Sequence, residues 1–300
     1  MPVPANHPTL GDLSDTFALW QRIDARFAHW DEVEASLQPS RDTDRGRDSQ
    51  GRAGFVAYAR ASNYLMAARD HHVLLVKMID ADWLTPYGAW SPLRALFENS
   101  FLALWILHPE TSEERVKNGL AMVLDEHRQH GIRLGIYHRL HESASPSTEE
   151  LADMEKTKEL HARIVADFNK LGAPYGLSIQ STGASVTAQI QQSRVFSDEG
   201  KGVAELVWRM ASSLQHGDTA ALYTTSKTTP TEASQTVTVQ FDPDSFLSAY
   251  HFTLDLFSRA IGEMVMRSTT ESPATPPSAT KKVKRPRKKQ TQDGTGRTTR

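Results

Sequence analysis

One segment limits the folds open to this chain more than any other: SPLRALFENSFLALWILHP at 91–109. Pro92 suits the first turn of a helix, Ser91 before it is a natural N-cap, and Pro109 ends the run because it lacks a donor. Between them Leu93, Leu96, Phe97, Leu102, Leu104, Trp105 and Ile106 leave little polar surface on any side. A helix that is apolar nearly all round must be covered from all sides, so it predicts a central helix in a bundle. Its longest apolar run, FLALWIL at 101–107, is too short to span a bilayer.

The rest of the sequence supplies the covering helices. Residues 14–37 place Phe17, Trp20, Ile23, Phe27 and Trp30 at steps of three and four, which makes one apolar stripe. Residues 54–83 form a long segment without proline. A further helix runs from Thr111 or Ser112 to about Leu140, with Glu113 and Glu114 favourably placed in its first turn. Another covers 148–171, stopped by Gly172. Two more cover 200–216 and 244–267. QPSRDTDRGRDSQGR at 38–52 predicts an exposed loop, and 173–200 lacks periodicity and predicts loop or short irregular structure. TVTVQF at 236–241 alternates and is β-branched, so it is expected to pair with LYTTS at 222–226 as one small hairpin. The predicted fold is mostly α, an irregular bundle of six or seven helices with that hairpin. Residues 1–13 are expected to be a flexible N-terminus, 14–267 the helical domain, and 268–300 a disordered basic tail rich in Thr, Ser, Pro, Lys and Arg.

Charge is divided unevenly. Residues 281–300 hold nine Lys and Arg against Asp293, a local net of +8; with −2 for the whole chain, −10 is left on residues 1–280. The tail residues Lys281, Lys282, Lys284, Arg285, Arg287, Lys288 and Lys289 are candidate nucleic-acid contacts through the phosphate backbone. They have no aromatic neighbours for stacking, so such binding is expected to be sequence-blind. A solubilising role, or docking on the acidic body, is the other reading. There is no cysteine, so no disulfide framework exists and a zinc site would need His and carboxylates alone. The start, MPVPANHPTLGDLSD, lacks a basic stretch followed by an apolar core, so no secretory leader is expected. No membrane partner and no cofactor are expected, and the default compartment is the cytoplasm.

The segment with most chemistry is LVWRMASSLQHGDTAAL at 206–222. Arg209, Ser212, Ser213 and His216 interrupt an apolar run before Gly217 stops it. Seven residues at 3.6 per turn bring Arg209 and His216 to within about 20° of each other around the helix. Ser212 and Ser213 lie between them, and Glu205 sits one turn earlier. An arginine fork can hold phosphate oxygens and a histidine can move a proton near neutrality, a minimal set for cutting a phosphodiester without metal. The plainer reading is structural. Glu205 and Arg209 form an i,i+4 pair, His216 ends the helix, and Gly217 supplies a left-handed turn.

The spacing resembles the Arg-x(4–6)-His motif of HEPN-type helical ribonucleases. The chain is also similar to a broad group of uncharacterised bacterial helical proteins that share Arg-x-x-x-Glu on an apolar helix, here RALFE at 94–98, and Ser-x-x-x-His-Gly, here SSLQHG at 212–217. The resemblance implies a metal-independent endoribonuclease of toxin or phage-defence type, acting as a homodimer. Arg209 and His216 would be catalytic, supported by Arg94, Glu98, Glu205, Ser212 and Ser213. Arg94 and Glu98 are either a register-fixing ion pair or a link in which Glu98 reaches Arg209 or His216 across the bundle.

Other candidates are weaker. Adjacent His71 and His72 cannot share a helix face. His127 with His130, and His138 with His141, have i,i+3 spacing that could serve a divalent metal, but no carboxylate obviously completes a set, and the expectation is a solvated polar face with no metal. No phosphate loop, dinucleotide fingerprint or nucleophile elbow is present. Two function classes follow: a non-enzymatic helical interaction protein whose tail binds polyanions, and the HEPN-like ribonuclease.

Overall fold

The computed structural model describes residues 6–7, 10–35, 40–144, 146–230 and 237–271. In chain order these form a two-residue strand pair, β1 (Asn6–His7) and β2 (Gly11–Asp12), then helices α1 (Ser14–Ala35), α2 (Asp44–Asp48), α3 (Arg52–Asp80) and α4 (Trp90–Leu107). Helices α5 (Ser112–Ser143), α6 (Thr148–Gly172), α7 (Val186–Gln192), α8 (Asp198–Gln215) and α9 (Thr219–Thr224) follow. Strands β3 (Ser226–Pro230) and β4 (Val237–Phe241) then lead into α10 (Pro243–Thr269). The described residues form a helical bundle with the small antiparallel pair β3–β4 that the sequence predicts, besides the two-residue pair β1–β2. The basic tail, with all seven of its candidate contacts, lies outside the described residues.

The apolar segment is the central helix. α4 packs against α3, α10, α8 and α5, and Leu93, Leu96, Phe97, Phe101, Ala103, Leu104 and Leu107 are fully buried. It starts two residues earlier than expected and without the Ser91 cap. Ala89 is the N-cap, because the turn at 85–89 winds directly into the helix and seats Trp90, 1% exposed, in the core. Pro92 still falls in the first turn, where its missing N–H costs nothing. α10 covers a second side of α4, where Phe246 meets the Trp90 ring and Phe252 the Phe97 ring, and another side of α10 carries α1. There the Trp20 indole N–H donates to the Tyr250 hydroxyl at 2.9 Å. α5 approaches α3 so closely at Gly119 that a Cβ there would lie 2.3 Å from that of Ala57.

The largest departure from the sequence reading is at 38–52. Instead of an exposed loop, Asp44–Asp48 form a helical turn capped by Thr43, whose Oγ1 accepts from the Gly46 N–H at 3.1 Å. Asp48 is buried because Arg115, itself 2% exposed, donates from Nε to its Oδ2 at 2.8 Å, and the Tyr58 hydroxyl donates to the same oxygen at 3.0 Å. Arg115 also reaches the carbonyls of Pro109 and Glu110, and Arg267 of α10 donates to Asp44 at 2.6 Å and to the carbonyl of His108 at 3.2 Å. Burial alone would raise the Asp44 carboxyl, but the Arg267 hydrogen bond and the Arg115 and Arg47 guanidinium groups override it and hold it below its usual range. The network ties α2, α5 and α10 to the turn between α4 and α5. Periodicity cannot reveal such a helix, because its partners are 67 and 223 residues away.

Smaller differences have local causes. Asp218 Oδ1 accepts from the Ala220 and Ala221 N–H groups and caps α9, so the residues expected to begin the hairpin are helical and the first strand starts at Ser226. Within 173–200, where loop or short irregular structure was expected, Ser185 caps the short helix α7, which buries Ile190. Ahead of α1, the predicted flexible N-terminus contains buried Leu10 and Leu13. Among the described residues no helix is long and apolar enough to cross a membrane.

Candidate functional site

α8 carries the predicted polar line and shows how the sequence built it. Ser197 caps its start by accepting from the Gly200 N–H at 3.1 Å. Ala204, Val207, Ala211 and Leu214 form the buried face. At the other end the Gly217 N–H donates to the Leu214 carbonyl and the Asp218 N–H to the Ser213 carbonyl, a Schellman closure with Gly217 at φ +76°. His216 is the C-cap residue, exposed, with its backbone N–H held by the Ser212 and Ser213 carbonyls. Ser212 and Ser213 are half-buried beneath the exposed side of the line.

The predicted residues fall into two groups and an outlier. Arg209 donates from Nε to Glu205 Oε1 at 2.7 Å, and the second oxygen of Glu205 accepts from Gln191 of α7 at 2.6 Å. The Arg209 hydrogen bond, then that of Gln191, holds the Glu205 carboxyl below its ordinary range. The Arg209 side chain is 62% exposed. The second group lies on α4. Arg94 sits 3.7 Å from Glu98, donates to the Gln215 side chain, and lays its guanidinium over the Trp208 ring at 5.5 Å. Glu98 therefore pairs within its own helix, and among the described residues it has no hydrogen bond or ion pair with Arg209 or His216. His216 is the outlier. A cavity of 220 Å³ at this end of α8 is lined by Tyr87, Gly88, Ser91, Leu214, Gln215 and Gly217, and neither His216 nor Arg209 lines it.

The histidines of α5 face α6. The His130 and His161 rings lie 5.1 Å apart, and His127 rests 4.6 Å from Phe168. His138 is 5% exposed with both ring nitrogens buried and unpartnered, beside His141, Glu150 and Asp153. Glu150 is occupied as a capping carboxylate for the Ser147 N–H, and Asp153 accepts from Lys156. Among the described residues no group of three or more His, Asp or Glu is arranged to hold a metal ion.

Sequence reasoning missed a cavity of 470 Å³ between α1 and α3. Phe17 and Trp20 of α1 and Val73 and Val76 of α3 give it apolar walls, and Gln21, Asp24, Lys77 and Asp80 give it polar ones. His72, 4% exposed, lines its inner end; burial pushes the imidazole down to about 4, so it is neutral near pH 7. The signal was present as i,i+3 and i,i+4 spacings within each helix, but nothing in the sequence says that these two faces oppose each other. In comparisons with known proteins, no protein family, no curated protein and no solved structure matches this chain.

Proposed function

We propose that this is a non-enzymatic helical interaction protein that pairs with a second copy of itself and holds a polyanion through its basic tail. One observation carries the reading, the outer face of α5. Ile132, Ile136 and Leu140 follow one another at four-residue steps, and they are 49%, 45% and 66% exposed. They point away from the face that meets α6. Beyond Leu124, the buried side chains of the α5–α6 hairpin are those of His138 and Met154, so this pair is short of apolar burial. An exposed aliphatic row of this kind marks an interaction surface. A twofold axis laying row against row makes it self-complementary. The tail from Lys281 to Lys289 adds a sequence-blind, salt-sensitive hold on nucleic-acid backbone.

The ribonuclease reading keeps one point in its favour: Arg209 and His216 are both exposed. Against it, Arg209 Nε already donates to Glu205, and a phosphate would have to share the guanidinium with that carboxylate. Light scattering of the wild type and of Ile136→Glu tests the pairing. A dimer that becomes a folded monomer supports it, and a monomeric wild type at about 100 μM removes it, since self-association weaker than that corresponds to less than about 5.5 kcal/mol. Nucleic-acid affinity should fall steeply with salt and be lost when residues 281–300 are deleted. Incubation with total RNA in EDTA, beside His216→Ala, decides the enzymatic alternative: cleavage lost in the variant establishes a nuclease and overturns the non-enzymatic reading.

A further inference from the structure

The cavity between α1 and α3 is independent of the α5 surface and of the tail. Its volume of 470 Å³ lies within the range of small-molecule sites, about 300–1,000 Å³. Its inner end is formed by Trp20 and His72, each 4% exposed, while Val73 is 43% exposed at the opening. The Nδ1 of His72 is buried and has no hydrogen-bond partner among the described residues. The polar groups at the opening are two carboxylates, Asp24 and Asp80, and one ammonium, Lys77. None of these three has an ion-pair partner among the described residues, which leaves a net charge of −1 at the mouth of an apolar slot.

We infer that this cavity binds a small organic amine, with its apolar body against Trp20, Val73 and Val76 and its ammonium group between Asp24 and Asp80. An apolar ring displaces water from walls that are already hydrophobic. The uncharged imidazole at the inner end accepts such a ring and repels no charge. The carboxylates outnumber Lys77, so a cation is favoured at the mouth and an anion is not. An acid of the same shape would have only Lys77 to meet, with two like charges beside it.

Phenethylammonium and phenylacetate carry the same ring with opposite charge, and calorimetric titration of the full-length protein at low ionic strength distinguishes them. Phenethylammonium should bind saturably, one per chain, and roughly fivefold or more tighter than phenylacetate, the factor expected for one close charge pair in a water-like medium. The double variant Asp24→Asn, Asp80→Asn, which alters only exposed groups, should abolish that preference, and Lys77→Met should increase it. Val73→Trp fills the opening from a position that tolerates bulk and should eliminate binding, with an unchanged circular dichroism spectrum and melting temperature. Equal or tighter binding of phenylacetate overturns the inference. So does an absence of saturation by the amine up to about 10 mM, the affinity floor for so small a ligand. Amine binding that persists in folded Val73→Trp places the ligand elsewhere and also overturns it.

Discussion

His71 and His72 are neighbours in sequence with different surroundings. His71 is half-buried, whereas His72 lies against the Trp20 ring at 6.2 Å and the Phe257 ring at 5.8 Å. Burial depresses its pKa to about 4, below the ordinary 6.5. Between those values the unfolded chain takes up a proton that the folded chain refuses. The contribution of this residue to stability is therefore complete above about pH 6.5 and is lost as pH falls toward 4, by at most about 3 kcal/mol. Urea titrations of the wild type should show that slope, and His72→Phe should flatten it; an equal slope in both would assign the acid sensitivity to other groups. The sequence showed that two adjacent histidines cannot share a helix face. It could not show which one is buried, because that depends on a tryptophan 52 positions earlier. Arg115 was equally illegible as a network residue. Read alone it is one more charge in the first turn of a helix, and only α2 makes it a buried ion-pair partner.

At the scale of elements, the readable helices are those whose own residues mark both ends and one face. α4 was legible from apolarity, and α8 from its stripe and its stop at Gly217. That glycine is at φ +76°, where a Cβ is strained, so Gly217→Ala should destabilise the protein by about 1 kcal/mol in chemical denaturation. The pairing of Glu205 with Arg209, two turns earlier, should persist, and a loss well beyond that magnitude would mean that the C-cap has a role besides ending the helix. α2 was illegible because four charged residues and a glycine hold no apolar period; its stability comes from Arg115 and Arg267. The strand expected from 222 failed for the opposite reason, since a local aspartate cap outweighs β-branched propensity over two turns. For the candidate site, helical geometry set the expectation of a shared face for Arg209 and His216, both of which are exposed, with His216 the C-cap residue just past α8. It could not show that Glu205 and Gln191 form one hydrogen-bonded set with Arg209, or that Glu98 stays with Arg94.

For the whole molecule, the Asp44–Asp48–Arg115–Arg267 network decides how separate helices close on one another. Arg115→Ala leaves Asp48 buried without its cation and should cost about 3–5 kcal/mol, measured by thermal or urea unfolding. A loss below about 1 kcal/mol would show that water replaces the guanidinium and that the network is not what joins these elements. α10 also has a consequence for how the protein is made. This helix lies between α1 and α4 and gives α1 most of its contacts, so Trp20, Ile23 and Phe27 lack most of their cover until residues 243–269 have left the ribosome. The helices made before it must wait, partly assembled and with apolar surface showing, for this segment to arrive. Folding is therefore expected to be a late and slow event after synthesis, rather than a progressive one that follows the growing end.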